Sequence, residues 1–123
     1  MAPKGASVLV VEDDPDLRYL FRLSLALAGF QVREAADGYQ ALALIEEEAP
    51  AVVVLDLGLP RVSGFTVLEE ITARADMRRI PVVVVTGLNV AAQRNAMLLR
   101  KPVEPPALVG AVRRAMRRAA AGV

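Results

Sequence analysis

An α/β fold, with a parallel sheet covered by helices on both faces, is predicted by three features of the 123-residue sequence. Short β-branched runs alternate with helical stretches of about ten to fifteen residues, the order expected of βαβ units. The runs SVLVVE, AVVVLD and IPVVVVTG are close to continuously apolar, which suits strands buried on both faces. Each of them then stops at a polar residue: Glu12, Asp56 or Thr86.

The elements follow in order. SVLVVE (7–12) is the first strand. Residues 14–29 read as a helix, which Asp14 can cap, Pro15 suits at its first turn and Gly29 ends. FQVREA (30–35) alternates like a strand with one face partly exposed, and 37–50 is helical up to Pro50. AVVVLD (51–56) is the next strand, and Ser63 can cap a helix over 63–75. IPVVVVTG (80–87) is another strand, MLLR before Lys101 reads as one more, and PPALVGAVRRAMRRAA (105–120) closes as a helix. No linker, repeat or low-complexity stretch interrupts this series. The expected organisation is a short lead-in (1–6), one domain (7–120) and a tail (121–123).

Composition narrows the chemistry. With 54% hydrophobic and 24% charged residues the chain is globular, not disordered. No apolar run approaches the roughly eighteen residues of a membrane span, and MAPKGAS lacks the apolar core of a signal peptide. Cysteine is absent, which excludes disulfides and thiolate metal sites. Histidine is absent as well, removing the commonest general base, the usual zinc ligand and every Ser–His or Cys–His pair. A net charge of +1 predicts no nucleic-acid partner by itself. Carboxylates, hydroxyls and lysine remain.

In open parallel sheets the ligand site lies beyond the carboxyl ends of the strands. Four strand ends deliver Glu12, Asp13, Asp56, Thr86 and Lys101 to that edge. Three carboxylates so placed repel one another unless a cation neutralises them. One or two carboxylates with waters and a phosphate describe a Mg²⁺ site. Lysine is a point charge suited to a phosphoryl oxygen, and a threonine hydroxyl can hydrogen-bond another. Asp56 is then the nucleophile, since a carboxylate can accept a phosphoryl group as an acyl phosphate. Such transfer asks chiefly for positioning and charge stabilisation, so histidine is dispensable.

The ordered set VLVVEDDPDLR, VVVLDLGLPRVSGFTVLEEI, PVVVVTG and RKP resembles the receiver domain of two-component response regulators, over about residues 7–120. The resemblance implies a doubly wound five-stranded parallel sheet of order 2-1-3-4-5, as in flavodoxin- and CheY-like folds. It implies that Asp56 takes a phosphoryl group from a phosphohistidine on a histidine kinase or histidine phosphotransfer protein, with Mg²⁺ required. The chain would then catalyse only its own phosphorylation and dephosphorylation, in the cytoplasm of a bacterium. Matched position by position, Asp13 would ligate the metal directly, Glu12 through water, Asp56 through its carboxylate and Gly58 through its backbone carbonyl. Thr86 matches the switch hydroxyl, and Lys101 the phosphate-contacting lysine, with a cis peptide expected before Pro102. Gly87 stands where the family has a small residue.

One region departs from that pattern. Only fourteen residues, GLNVAAQRNAMLLR, separate Thr86 from Lys101, fewer than the family has there. A return helix of roughly ten residues and a strand of about five already exceed that length before any turn is added. The helix is therefore cut to about two turns over NVAAQRNA, or the segment is irregular, or it pairs with another chain. Leu98 occupies the position where the family commonly has Tyr or Phe; leucine can pack but cannot place a phenol hydroxyl. Gly58 and Leu88 sit at positions that in the family tune self-dephosphorylation. Neither offers a group to orient water, so slow dephosphorylation is expected.

Surface patterns suggest partners. The first helix carries Leu17, Leu20, Phe21, Leu23, Leu25 and Leu27, more than one apolar stripe requires. The surplus either docks a kinase or phosphotransfer bundle or is flanked by neighbouring elements. Arg113, Arg114, Arg117 and Arg118 read as a solvated face suited to a helix C-terminus rather than as a DNA contact. The expected function is a stand-alone receiver, or one cut from a longer chain, that signals to a downstream protein target. A homodimer through the altered fourth-helix and fifth-strand region is a further expectation. The alternative is a non-phosphorylated interaction module with the same fold. A haloacid-dehalogenase-like phosphohydrolase is disfavoured because Gly58 stands where its second Asp belongs, and no Gly-rich phosphate loop supports a nucleotide fold.

Overall fold

The structure, a computed structural model, describes residues 5–91 and 96–122. Its strands are β1 (Ser7–Val11), β2 (Gln31–Ala35), β3 (Val52–Leu55), β4 (Val82–Thr86) and β5 (Ala96–Arg100). The helices are α1 (Pro15–Leu27), α2 (Gly38–Glu47), α3 (Gly64–Ala73) and α4 (Pro105–Ala120). All strand pairs are parallel, in the order β2-β1-β3-β4-β5, as the resemblance implied.

The valine runs explain this order. In a strand, alternate residues face opposite sides of the sheet. Val8, Val10, Val52, Val54, Val83 and Val85 point to one face and pack with Phe21 and Leu25 of α1 and Leu108 and Val112 of α4. Leu9, Val11, Val53, Leu55, Val82 and Val84 point to the other, against Ile45 of α2 and Val67 and Ile71 of α3. Strands that must fill two cores cannot alternate with polar residues, so β1, β3 and β4 take the centre. QVREA in β2 is an edge strand whose residues are mostly half-exposed, and β5 forms the other edge.

Helix ends fall where the sequence predicts them, within a residue or two. Asp14 caps α1, its Oδ1 accepting from the Asp16 and Leu17 N–H groups at 2.9 and 3.4 Å. Asp37 caps α2 by accepting from Gln40 N–H at 2.8 Å, and Ser63 Oγ accepts from Thr66 N–H at 3.3 Å. Each such cap satisfies a donor that helix geometry leaves free, worth about 1 kcal/mol. Gly29 ends α1 at φ +100°, a backbone state other residues rarely adopt.

The crossover from β4 to β5 differs from the two-turn helix expected over NVAAQRNA. Asn89, Val90 and Ala91 are not helical and Ala96 already begins β5, while 92–95 fall outside the described residues. Parallel neighbours ordinarily need a connection of a dozen or more residues to fit a helix. The interval from Thr86 to Ala96 is shorter. Over the described part the irregular alternative holds.

The start of α3 packs on the backbone just after β3. Gly64 N–H donates to the Leu57 carbonyl at 3.1 Å, and a Cβ on Gly64 would collide with the Asp56 carbonyl and the Leu57 Cα. Gly110 in α4 is different, since a Cβ there meets only the flexible Arg114 Nη1 at 3.5 Å. We expect Gly64→Ala to destabilise the fold by about 1–3 kcal/mol and Gly110→Ala to stabilise it by about 0.5–1 kcal/mol. Urea unfolding midpoints of the two variants check both signs.

Candidate functional site

Four strands end at one edge of the sheet, and register decides which side chains meet there. Val10 and Val11 of β1 pair with Val54 and Leu55 of β3, so Glu12 and Asp56 emerge side by side. Thr86 of β4 pairs with Arg100 of β5, which puts Lys101 one residue beyond. Main-chain bonds continue past the strands: Glu12 N–H donates to Ala35 O, Asp56 N–H to Val11 O and Lys101 N–H to Thr86 O, at 3.0–3.1 Å. The site residues are therefore held by the ladder itself and not by loops alone.

Lys101 joins the carboxylates. Its Nζ lies 2.7 Å from Glu12 Oε1 and 3.2 Å from Asp56 Oδ2. Glu12 and Asp56 are almost wholly buried, at 1% and 6% exposure, and Thr86 at 0%. Burial pushes the Glu12 carboxyl above the ordinary glutamate value, partly offset by the hydrogen bond and charge of Lys101 and by the Asp14 N–H at 3.1 Å. Burial by itself would lower the Lys101 ammonium, but the bond to Glu12 and the negative charge of Asp56 outweigh it and hold the group above its usual value. The second oxygen of Asp56, Oδ1, accepts from Gly58 N–H at 3.1 Å. With Oδ2 facing Lys101 and Oδ1 facing a backbone donor, the plane of this carboxylate is fixed.

Asp13 is exposed, beside the other two acids. One oxygen from each of Glu12, Asp13 and Asp56 lies within 4.8 Å of the others. Three carboxylates face a single lysine, so the cluster carries excess negative charge, and its donors are all hard oxygens. That set fits a divalent cation of the Mg²⁺ type, which prefers oxygen and keeps several waters.

Every residue singled out from the sequence for chemistry lies in this neighbourhood. Asp14 caps α1 and takes no part in the acidic triad. Thr86 Oγ1 accepts from Leu88 N–H at 3.2 Å. A Cβ on Gly87 would meet nothing within 4 Å, so the space above this strand end is open. Leu98 is half-buried and packs on the core facing α2 and α3. The Lys101–Pro102 peptide is cis.

Two arginines were not legible as site residues. Arg18 Nη1 donates to the Glu12 carbonyl at 2.9 Å and to the Asp13 carbonyl at 3.5 Å, while its Nε pairs with Glu34 at 3.4 Å. It thus braces the backbone that carries the two acids. The bond runs from a helix to main-chain carbonyls, so no residue pairing in the sequence announces it. Arg100 is the second, donating to the Leu88 and Val90 carbonyls.

Comparison with known proteins agrees with this geometry. The sequence matches the response regulator receiver domain over residues 8–113. A probable transcriptional regulator, ycf27, of Porphyridium aerugineum is 31% identical over 118 residues, 90% of this chain and 48% of that protein. The chain spans about half the length of the ycf27 relatives it matches. The crystal structure of a putative response regulator from Chloroflexus aurantiacus superposes with a TM-score of 0.85 at 29% identity, covering 94% of this chain and 100% of that one. The chemotaxis response regulator CheY4 of Vibrio cholerae gives 0.83 at 26% identity, covering 90% and 98%. With its fold, its strand-end acids and this match in hand, the chain belongs to the response regulator receiver domain family.

Proposed function

We propose that the domain over residues 7–120 is a phosphorylatable receiver whose acceptor is Asp56. The observation that carries this reading is the Lys101 ammonium bridging Glu12 and Asp56 beside the buried Thr86. In the proposed reaction a carboxylate oxygen of Asp56 attacks the phosphorus of a phosphohistidine on a kinase or phosphotransfer protein. The new P–O bond forms as the P–N bond breaks, and the electron pair returns to the imidazole. Lys101 moves its charge from Asp56 Oδ2 to a phosphoryl oxygen. The Thr86 hydroxyl, no longer accepting from Leu88 N–H, donates to another. Gly58 N–H steadies the carboxylate. Mg²⁺ would be held by Asp13, Asp56, the Gly58 carbonyl and, through water, Glu12, and when bound it supplies charge neutralisation for the incoming phosphoryl group.

Several surfaces fit partners for this role. Phe21 and Leu25 of α1 face the core, while Leu20, Leu23 and Leu27 remain exposed, Leu27 at 80%. These leucines recur at helical spacing and would dock the donor's helical bundle. The fifth strand is an edge with half-buried Met97, Leu98 and Leu99, a surface suited to self-association. No described helix is long and apolar enough to cross a membrane, and a cytoplasmic setting suits the proposed donor. Output would pass to a downstream protein. The relatives' names carry transcriptional regulation in proteins about twice this length. The expectation that DNA binding is unlikely finds no support in these relatives.

The short crossover and Leu98 favour a second reading, an interaction module of the same fold that is never phosphorylated. Intact mass after incubation with acetyl phosphate and Mg²⁺ separates the two. We expect a phosphoryl increment that needs Mg²⁺ and is lost in Asp56→Asn; a folded protein with no increment would support the module.

Mg²⁺ affinity should fall as pH is lowered through the raised Glu12 value, at a higher pH than an ordinary glutamate would dictate. Protonation removes the charge that the cation requires. In Glu12→Gln binding at neutral pH should weaken and that part of the pH dependence should vanish. The sign for folding is opposite. An acid whose folded-state pKa is raised favours the fold below its unfolded value and loses that contribution as pH rises through the folded one. Metal titrations followed at the Gly58 amide, beside melting curves, test both statements. Sedimentation equilibrium at high concentration should show a dimer that Leu98→Lys weakens; monomer alone would remove self-association.

A further inference from the structure

We propose that Arg100 is a positioning residue: its guanidinium holds the stretch Leu88–Val90 after β4 and keeps Leu88 at the mouth of the Asp56 site. The proposal rests on the receiver reading of Asp56. Arg100 Nη1 donates to the Leu88 carbonyl at 3.1 Å and Nη2 to the Val90 carbonyl at 2.6 Å. Val90 N–H closes a tight turn onto the same Leu88 carbonyl at 3.1 Å, and Leu88 N–H donates to Thr86 Oγ1 at 3.2 Å. From Thr86 to Val90 these polar groups find partners without helical bonds. Two of the partners come from one planar fork. Arginine suits this task because its donors are fixed relative to one another, whereas lysine presents a single point charge.

What the tether holds matters for the chemistry. A Cβ built on Gly58 would lie 4.0 Å from Leu88 Cδ1 and 3.8 Å from Asp56 Oδ1. The Leu88 side chain therefore reaches the space over Gly58, beside the acceptor carboxylate. It is 42% exposed, as a residue at a rim should be. An apolar group there limits the approach of water to the acyl phosphate. Arg100 is also the register partner of Thr86 and the residue before Lys101. One strand end thus supplies both the ammonium that meets Asp56 and the guanidinium that holds the loop above it.

Arg100 is exposed at the end of an edge strand, so its replacement should leave the core intact. The test compares wild type, Arg100→Ala, Arg100→Lys and Leu88→Ala by two readouts. One is amide hydrogen exchange at Leu88 and Val90 before phosphorylation; the other is the decay of the phosphoryl group after removal of acetyl phosphate. Losing charge-assisted bonds to two carbonyls should speed exchange in Arg100→Ala on the order of tenfold, with Arg100→Lys in between. Phosphoryl decay should rise in Arg100→Ala by a factor of about three or more. Leu88→Ala should share that faster decay while Val90 exchange stays as in wild type. Exchange in Arg100→Ala within about twofold of wild type would overturn the tether, and faster exchange with unchanged decay would overturn the positioning role. A wild type that takes no phosphoryl group would defeat the receiver reading instead, and the exchange comparison would still decide whether Arg100 holds the loop.

Discussion

The contact on which the site depends is the Lys101 ammonium set between two buried carboxylates. It joins the ends of β5, β1 and β3 across the sheet edge. Buried charges are costly to desolvate, and the attraction between them often only offsets that cost. Glu12 shows the imbalance directly: burial outweighs lysine's pull, and its pKa is raised. A core built for stability alone would have filled this position with apolar side chains, as it does from Val8 to Val11 in β1 and throughout β3. The cluster is thus a local departure from the rule governing the rest of the sheet. Its position at the carboxyl edge is where such a departure can meet a ligand.

Central strands were legible because burial on both faces forces an unusual composition. VVVL and VVVVT cannot be helices of useful length or half-exposed strands, and the polar residues that end these runs, Asp56 and Thr86, mark the edge. Caps at Asp14 and Ser63 were readable for a related reason: a short acceptor before an apolar period has one common use. Strand order was another matter. Local pattern does not say which strand neighbours which, and here the resemblance supplied 2-1-3-4-5. Arg18 and Arg100 stayed hidden because both donate to main-chain carbonyls. A carbonyl is present at every position, so it leaves no mark in the sequence. Chain length did reveal that something between Thr86 and Lys101 must give way, but could not say what would replace the missing helical hydrogen bonds.

The replacement has consequences for how this receiver can respond. A helix satisfies its own backbone and moves as a body. The described stretch Leu88–Val90 is held by Thr86 and Arg100 and so depends on those side chains, one of which, Thr86, is also the hydroxyl proposed to engage the phosphoryl group. Thr86 Oγ1 cannot serve Leu88 N–H in its present geometry and donate to a phosphoryl oxygen without some rearrangement. Recruitment of Thr86 would leave Arg100 as the remaining side-chain tether of Leu88. Leu98, packed on the α2 and α3 side, has no hydroxyl to exchange between buried and exposed partners. The polar part of any switch therefore falls on the crossover rather than on the middle of β5.

That distribution fixes the scale of response the domain can give. A ligand shifts a conformational equilibrium only by the difference between its interactions with the two states. Here the difference available at the crossover amounts to a few hydrogen bonds to backbone groups near the surface, each worth about 0.5–1.5 kcal/mol net, or more where a charge assists. Exchanging one such neutral bond shifts populations by about tenfold, against the roughly 10⁴-fold preference an all-or-none switch demands. A graded change in the exposure of β5 and of the loop above Asp56 is the response this arrangement favours. A partner that binds that edge would have to contribute the rest of the discrimination through its own contacts.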